Sequence, residues 1–121
     1  ISSGIAVAPG RLADEAHARR AMVSGSLLAL AQCAWERLDP SPEGLSHERF
    51  AGYRLMPLCA APPVEVRFVK EGRKTGARGI GELPFDCVPA AYANAVARAS
   101  GLDLSELPII GESLAGRMSR P

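Results

Sequence analysis

Hydrophobic residues recur every three or four positions over a long stretch near the start of the chain. From about Leu12 to Leu38 the apolar side chains keep this spacing, with charged residues crowded into the first half. Such a pattern predicts a helix that begins at the surface and ends buried. Ser24–Gly25–Ser26 lies in its middle, where glycine costs about 1 kcal/mol relative to alanine. Either the helix breaks there, or another backbone or a ligand approaches closely at Gly25.

Two shorter segments have the pattern of β-strands. Val64–Val69 alternates apolar and polar residues after a proline-rich entry at 60–63, and this alternation predicts a strand. Ile1–Val7 leans apolar and ends at Ala8–Pro9–Gly10, where the Pro-Gly pair is a turn signal. We therefore predict a second strand at the start of the chain.

A second helix is predicted from Val88 to Ser100. Pro89 falls near its first turn, where the missing N–H costs nothing, and Gly101 suits its C-terminal cap. Three alanines on its apolar stripe would allow a close approach to another helix or to a sheet: Ala91, Ala95 and Ala99. Beyond it, 107–110 is predicted to be extended, and the Gly/Ser/Arg-rich segment 111–121 to be a flexible tail.

Composition and element order predict one small α+β domain. The 121 residues suffice for a single core, and residues 1–110 are predicted to form a small mixed sheet packed by two helices. A net charge of +1 gives no basic face for nucleic acid, and the longest uncharged run, Ala21–Trp35, is too short to span a bilayer. We therefore expect neither nucleic-acid binding nor membrane insertion.

The cysteines bear on redox compartment and metal binding. Cys33, Cys59 and Cys87 are odd in number and widely spaced, so they predict reduced thiols and no metal site. This favours a cytoplasmic location. Because the chain begins with Ile1 and is expected to be a processed or excised piece, a periplasmic location stays open.

The candidate chemistry lies in Arg78–Pro84, between the predicted strand and the second helix. Glu82 follows a flexible Gly-x-Gly turn, Gly79–Ile80–Gly81, and stands just before Leu83–Pro84. A carboxylate on a loop between two regular elements can present an acid or a base to a ligand. Taken alone, the motif also fits a solvated loop glutamate.

The wider sequence resembles a known family. Gly79–Pro84, then Pro89–Ala95 and then Leu107–Pro108–Ile109 resemble the C-terminal end of the molybdopterin-binding subunit of molybdenum hydroxylases, the xanthine dehydrogenase and aldehyde oxidase family. Members carry a Gly-x-Gly-Glu-x-Pro turn, a Pro-Ala-x-x-Asn-Ala helix and a terminal Leu-Pro. Upstream, Phe50–Arg54 is similar to the family's Asn-Phe-x-x-Tyr-Arg segment, and Pro63–Val66 to its Pro-x-Ile-x-Val strand.

The resemblance implies a function. Members hydroxylate an N-heterocycle or an aldehyde with water as the oxygen source, and the motif glutamate is the general base, which by position is Glu82. Gly79, Ile80 and Gly81 would approach the molybdopterin cofactor, in its cytosine dinucleotide form, within the full complex. The implied partners are the rest of the molybdopterin subunit and an iron–sulfur subunit or domain, with or without a flavin subunit. The chain alone is expected to bind no cofactor tightly and to be inactive.

One departure supports an alternative. Where the family's first helix carries glutamine and a glycine pair, this chain has Arg19–Arg20, and Ala8 replaces the usual asparagine before Pro9. Arginines in place of glycines favour a diverged, non-catalytic module of the same fold that serves in structure or interaction. Both functions stay open on the sequence.

Overall fold

The computed structural model describes residues 2–45, 49–70 and 76–119. Within them the fold is α+β, as predicted. In chain order the elements are β1 (Ser3–Val7), α1 (Glu15–Ala34), β2 (Pro40–Ser41), β3 (Gly44–Leu45), β4 (Val64–Phe68), α2 (Leu83–Ser100) and α3 (Gly111–Met118), with 3-10 turns at Phe50–Gly52 and Leu58–Ala60.

The sheet is built from the two predicted strands. β1 and β4 pair in parallel, with Ile5 opposite Val66, and α1 forms part of the crossover between them. Alternation along β1 buries Ile5 and Val7 while Gly4 and Ala6 stay exposed. Ile1, placed in the first predicted strand, lies outside the described residues. A separate two-residue hairpin joins β2 to β3.

The first helix, α1, is shorter than the range that its hydrophobic pattern predicts. It begins after Asp14, whose carboxylate accepts a hydrogen bond from the His17 N–H at 2.8 Å. This N-cap explains why the helix does not start at Leu12. It ends at Ala34, because the backbone of Trp35 leaves helical geometry. The helix runs unbroken through Gly25, and what approaches Gly25 closely is the Pro84 ring, a side chain rather than the backbone or ligand expected.

The second helix begins five residues earlier than predicted. α2 starts at Leu83, and Pro84 occupies its first turn, where a missing N–H is tolerated. Pro89 is therefore inside the helix rather than near its start. The predicted C-terminal cap is confirmed, because Gly101 adopts φ 72° and its N–H bonds the Ala97 carbonyl at 2.8 Å.

The end of the chain contains a helix that the sequence analysis did not predict. Within the segment 111–121, predicted to be a flexible tail, α3 spans Gly111–Met118. Glu112 in its first turn and Arg117 in its last turn complement the helix dipole. Arg117 also donates to the Asp103 carbonyl at 2.7 Å, and Glu112 pairs with Arg54 at 2.9 Å. Flexibility of this segment stays a prediction.

The core lies between the sheet and α1. Ile5, Val7, Met22 and Val66 form the buried cluster, and Ile80 packs against it from the loop before α2. A second contact closes the far end of the domain, where the Ile109 N–H bonds the Cys33 carbonyl at 2.7 Å. The segment 107–110 has no regular structure, although Ile110 has an extended backbone. No helix in the described ranges is long and apolar enough to cross a membrane.

Candidate active-site loop

The loop before α2 is held against the turn that follows β1. The Arg78 N–H bonds the Pro9 carbonyl at 3.0 Å, and the Arg11 N–H bonds the Gly76 carbonyl at 3.3 Å. Gly10 sits between these bonds with φ 70°, and a Cβ there would lie 2.0 Å from the Gly76 oxygen. Only glycine fits, because both the backbone angle and the space exclude a side chain.

Gly10 is thus a site-positioning residue that sequence reasoning missed. The Pro-Gly pair identified a turn, but nothing local indicated which segment would pair with it. The signal is the glycine itself, because an obligatory glycine after a strand indicates either a left-handed backbone or a close neighbour. Here both reasons apply.

The middle of the loop is anchored by one apolar side chain. Ile80 packs half-buried against the core cluster, and its carbonyl accepts a hydrogen bond from the Leu83 N–H at 3.3 Å. Sequence analysis assigned Ile80 to cofactor binding. Its half-buried side chain packs on the core, and cofactor binding by Ile80 stays a prediction. The Glu82 carbonyl accepts from the Phe85 N–H at 3.0 Å, which leads the chain into α2.

The structure places Glu82 at the N-cap position of α2. Its backbone angles are φ −92° and ψ −10°, and its side chain does not cap the helix. The residue is exposed. In the described part of the chain its carboxylate makes no hydrogen bond or ion pair, so both oxygens are available to a ligand.

Gly79 and Gly81 leave open space beside the loop. Both are exposed, neither has positive φ, and a Cβ built on either would meet no atom within 4 Å. The packing of this chain therefore does not require glycine at these positions. Glycine there keeps the backbone accessible to a group from outside the chain.

Arg19 and Arg20, which stand where the motif resemblance implies glycines, have different surroundings. Arg19 donates to the Val66 carbonyl at 2.5 Å and to a Glu15 carboxylate oxygen at 2.8 Å. Its guanidinium lies over the Phe68 ring, 5.1 Å from the centroid. Arg19 therefore braces α1 against β4, although its side chain, like that of Arg20, is exposed. No cluster of three or more His, Cys, Asp or Glu side chains suited to a metal ion occurs among the described residues.

The fold is similar to parts of two solved oxidoreductases. A segment of quinoline 2-oxidoreductase from Pseudomonas putida 86 matches 99% of this chain with a TM-score of 0.86 and 18% sequence identity. Cu,Mo-CO dehydrogenase in its carbon monoxide reduced state matches 95% with a TM-score of 0.81 and 15% identity. The fold that the motif resemblance implies is therefore confirmed.

The similarity to the two solved structures covers only a small part of each of them. This chain covers 16% of each of the two solved chains, and at these identities the likeness shows the fold alone. A scan against protein-family models found no match. A search of curated proteins found no significant match either.

Proposed function

We propose that the chain is the C-terminal part of the molybdopterin-binding subunit of a molybdenum hydroxylase and that Glu82 is its general base. The observation that carries the proposal is the free, exposed carboxylate of Glu82 on a loop fixed by Gly10 and Ile80. A general base needs a carboxylate that is accessible to substrate and held by a rigid support. Glu82 meets both requirements.

The residues present fit one wall of a cofactor site. The open space beside Gly79 and Gly81 suits close approach by a molybdopterin, in its cytosine dinucleotide form, through the loop backbone. When bound, the cofactor supplies the redox chemistry of hydroxylation and passes the electrons on. The loop backbone would position it, and a Glu82 carboxylate oxygen would accept the proton released as water provides the oxygen.

The same comparison supports a proposed substrate class and proposed partners. One structural neighbour is named for quinoline, which supports an N-heterocycle as the substrate here. An aldehyde is the other substrate class that the motif resemblance implies. Because the chain corresponds to 16% of that neighbour, the remaining walls of the site would come from the rest of the subunit. Iron–sulfur centres, with or without a flavin subunit, would carry the electrons. The chain alone is expected to be inactive.

The test is Glu82→Gln in the intact assembly, which removes the basic oxygen and keeps the side-chain volume. Turnover with an N-heterocycle and an aldehyde should fall by about 10²–10⁴-fold at unchanged molybdenum content. Glu65→Gln is the matched control, because Glu65 is also exposed but pairs with Arg67 on β4. Near-normal turnover of Glu82→Gln would exclude the base role.

Arg19 favours a second candidate, a non-catalytic module of the same fold. Its guanidinium bonds β4 and Glu15, so a residue that departs from the family motif serves stability here. This candidate predicts an assembly without molybdenum and a Glu82→Gln variant that behaves as wild type. Metal analysis of the purified assembly separates the two functions before any kinetics.

A further inference from the structure

The two outer edges of the β1–β4 sheet differ in whether a side chain caps their backbone groups. The Ser3 N–H bonds the Pro63 carbonyl at 3.1 Å, and the Val7 carbonyl accepts from the Val69 N–H at 2.8 Å. Backbone groups along a parallel strand alternate between its two sides. The N–H and C=O of Gly4 and Ala6 therefore point away from β4, toward the outer edge of β1.

The outer edge of β4 is capped by a side chain. Val66 lies opposite Ile5, so its carbonyl points away from β1, and Arg19 donates to it at 2.5 Å. A charged side chain placed along an edge strand prevents another strand from adding there. Within the described residues, no side chain hydrogen-bonds the outward backbone groups of Gly4 or Ala6.

An apolar groove of about 410 Å³ runs beside the open edge. β1 forms one wall, α2 forms the other, and Leu30 of α1 lies between them. α2 packs chiefly on α1, with Pro84 against Gly25. The exposed side of α2 in the groove includes two of the predicted small residues, Ala91 and Ala95. Both are exposed, and their size permits another backbone to approach.

We propose that an extended segment of the remaining molybdopterin-binding polypeptide adds to β1 as a third strand and lies under α2 in this groove. The inference rests on the proposed function for the source of the strand. The occupant must be extended, because Gly4 and Ala6 present a row of unpaired donors and acceptors that a strand satisfies. It must carry apolar side chains toward α2, because that wall is apolar.

The size of the sheet and the length of the relatives favour this occupant. Two parallel strands alone are a marginal sheet, and parallel sheets are normally larger and covered. Each similar solved chain is about six times as long as the matched segment, since the match covers 16% of it. A polypeptide of that length has ample chain from which to supply a strand.

The test uses the intact native assembly that contains this chain. Amide hydrogen exchange should show the Gly4 and Ala6 amides protected to within about tenfold of the Ile5 amide. An open edge would leave them exchanging at least about a hundredfold faster than Ile5, and that result would overturn the proposal. The measurement needs no variant, so a folding failure cannot obscure it.

Ala6→Pro removes the outward N–H and leaves the hydrogen bonds of Ser3 and Val7 to β4 intact. The yield of assembly should fall at least tenfold, whereas Ala6→Thr, which keeps the N–H, should assemble normally. Equal assembly of both variants would contradict the inference. Circular dichroism of each variant checks that the chain has folded.

Photo-leucine incorporated in place of leucine identifies the occupant, because Leu30 lines the groove. A cross-link from Leu30 to an extended segment elsewhere in the subunit supports the proposal. A cross-link to a second copy of this chain, or to a helical segment, overturns it. Molybdenum content of the same sample tests the proposed function separately. If the Gly4 and Ala6 amides are protected but the assembly contains no molybdenum, the third strand is supported and the catalytic role of the chain is excluded.

Discussion

Pro84 packs directly on Gly25, where α2 crosses the middle of α1. A Cβ added at Gly25 would lie 3.0 Å from Pro84 Cγ and 3.4 Å from Pro84 Cβ. Pro84 is among the most deeply buried side chains of the described residues. This contact sets where α2 begins relative to α1, and therefore where the Glu82 loop leaves the sheet.

Gly25→Val should lower the free energy of unfolding by about 1–3 kcal/mol, because the added side chain overpacks against the Pro84 ring. Ser24→Val is the matched control: Ser24 is exposed on the same turn, so its change should stay within about 0.5 kcal/mol. Urea unfolding measures both variants. If the two variants proved equally stable, the crossing would not depend on glycine.

Arg19→Met should lower the free energy of unfolding by about 1–2 kcal/mol, because it removes the hydrogen bond to Val66 and the stacking on Phe68. The ion pair with Glu15 adds only a few tenths, since both side chains are largely exposed. Arg20→Met is the control at an exposed neighbouring position. A larger loss for Arg20→Met than for Arg19→Met would contradict the bracing role.

Asp14 gives the protein a defined acid sensitivity. The hydrogen bond from the His17 N–H holds the pKa of Asp14 below its ordinary value of 3.8. A carboxyl group with a lowered folded-state pKa stabilises the fold above the unfolded-state pKa, and this contribution is lost as pH falls through the folded-state pKa. Stability relative to Asp14→Asn, which caps without titrating, should therefore decline from about pH 5 downward.

Thermal melts of the wild type and Asp14→Asn between about pH 6 and about pH 2 measure this difference. Asp14→Ala, which loses the cap, should be less stable than Asp14→Asn across the whole range. A constant difference between wild type and Asp14→Asn would show that the carboxylate charge does not contribute.

The three thiols should differ in reactivity. Burial raises the pKa of the Cys33 thiol, while Cys59 and Cys87 are exposed. Because the thiolate is the reactive form, a maleimide at about pH 8 should label Cys59 and Cys87 quickly and Cys33 only on unfolding. Mass spectrometry of labelled peptides reads each site. In the intact assembly, Cys87 should also become slow, because it lines the groove where we place the third strand.

Local sequence patterns predicted which helices and strands exist better than they predicted the residues at which these elements begin and end. Alternation over Val64–Val69 was enough to identify β4, because burial of one face imposes a period of two wherever the strand lies. The start of α2 was misplaced, because Pro89 looked like a first-turn proline until Pro84 was found seated on α1. α3 was missed because the glycine, serine and arginine residues of this segment were interpreted as a flexible tail.

For the candidate site, too, the sequence predicted the key residue but not the contacts that hold it in place. The order of motifs around Glu82 directed attention to a single carboxylate, and the structure leaves that carboxylate exposed at the start of α2. The sequence could not predict that the turn at Gly10 holds the loop before α2. The hydrogen bonds that join them link segments almost seventy residues apart, and they produce no repeating hydrophobic pattern in either segment. The role of Ile80 as a core anchor was hidden for the same reason.

The sequence by itself determined the α+β class, the two paired strands, the long helix and the loop that carries Glu82, because periodicity and turn residues act over a few neighbouring positions. Only the tertiary structure decided that Gly25 packs against Pro84, that Arg19 caps one edge of the sheet, and that no side chain of the described residues caps the β1 edge. These are relationships between distant segments. They depend on the space left when the elements pack, which no single stretch of the chain encodes.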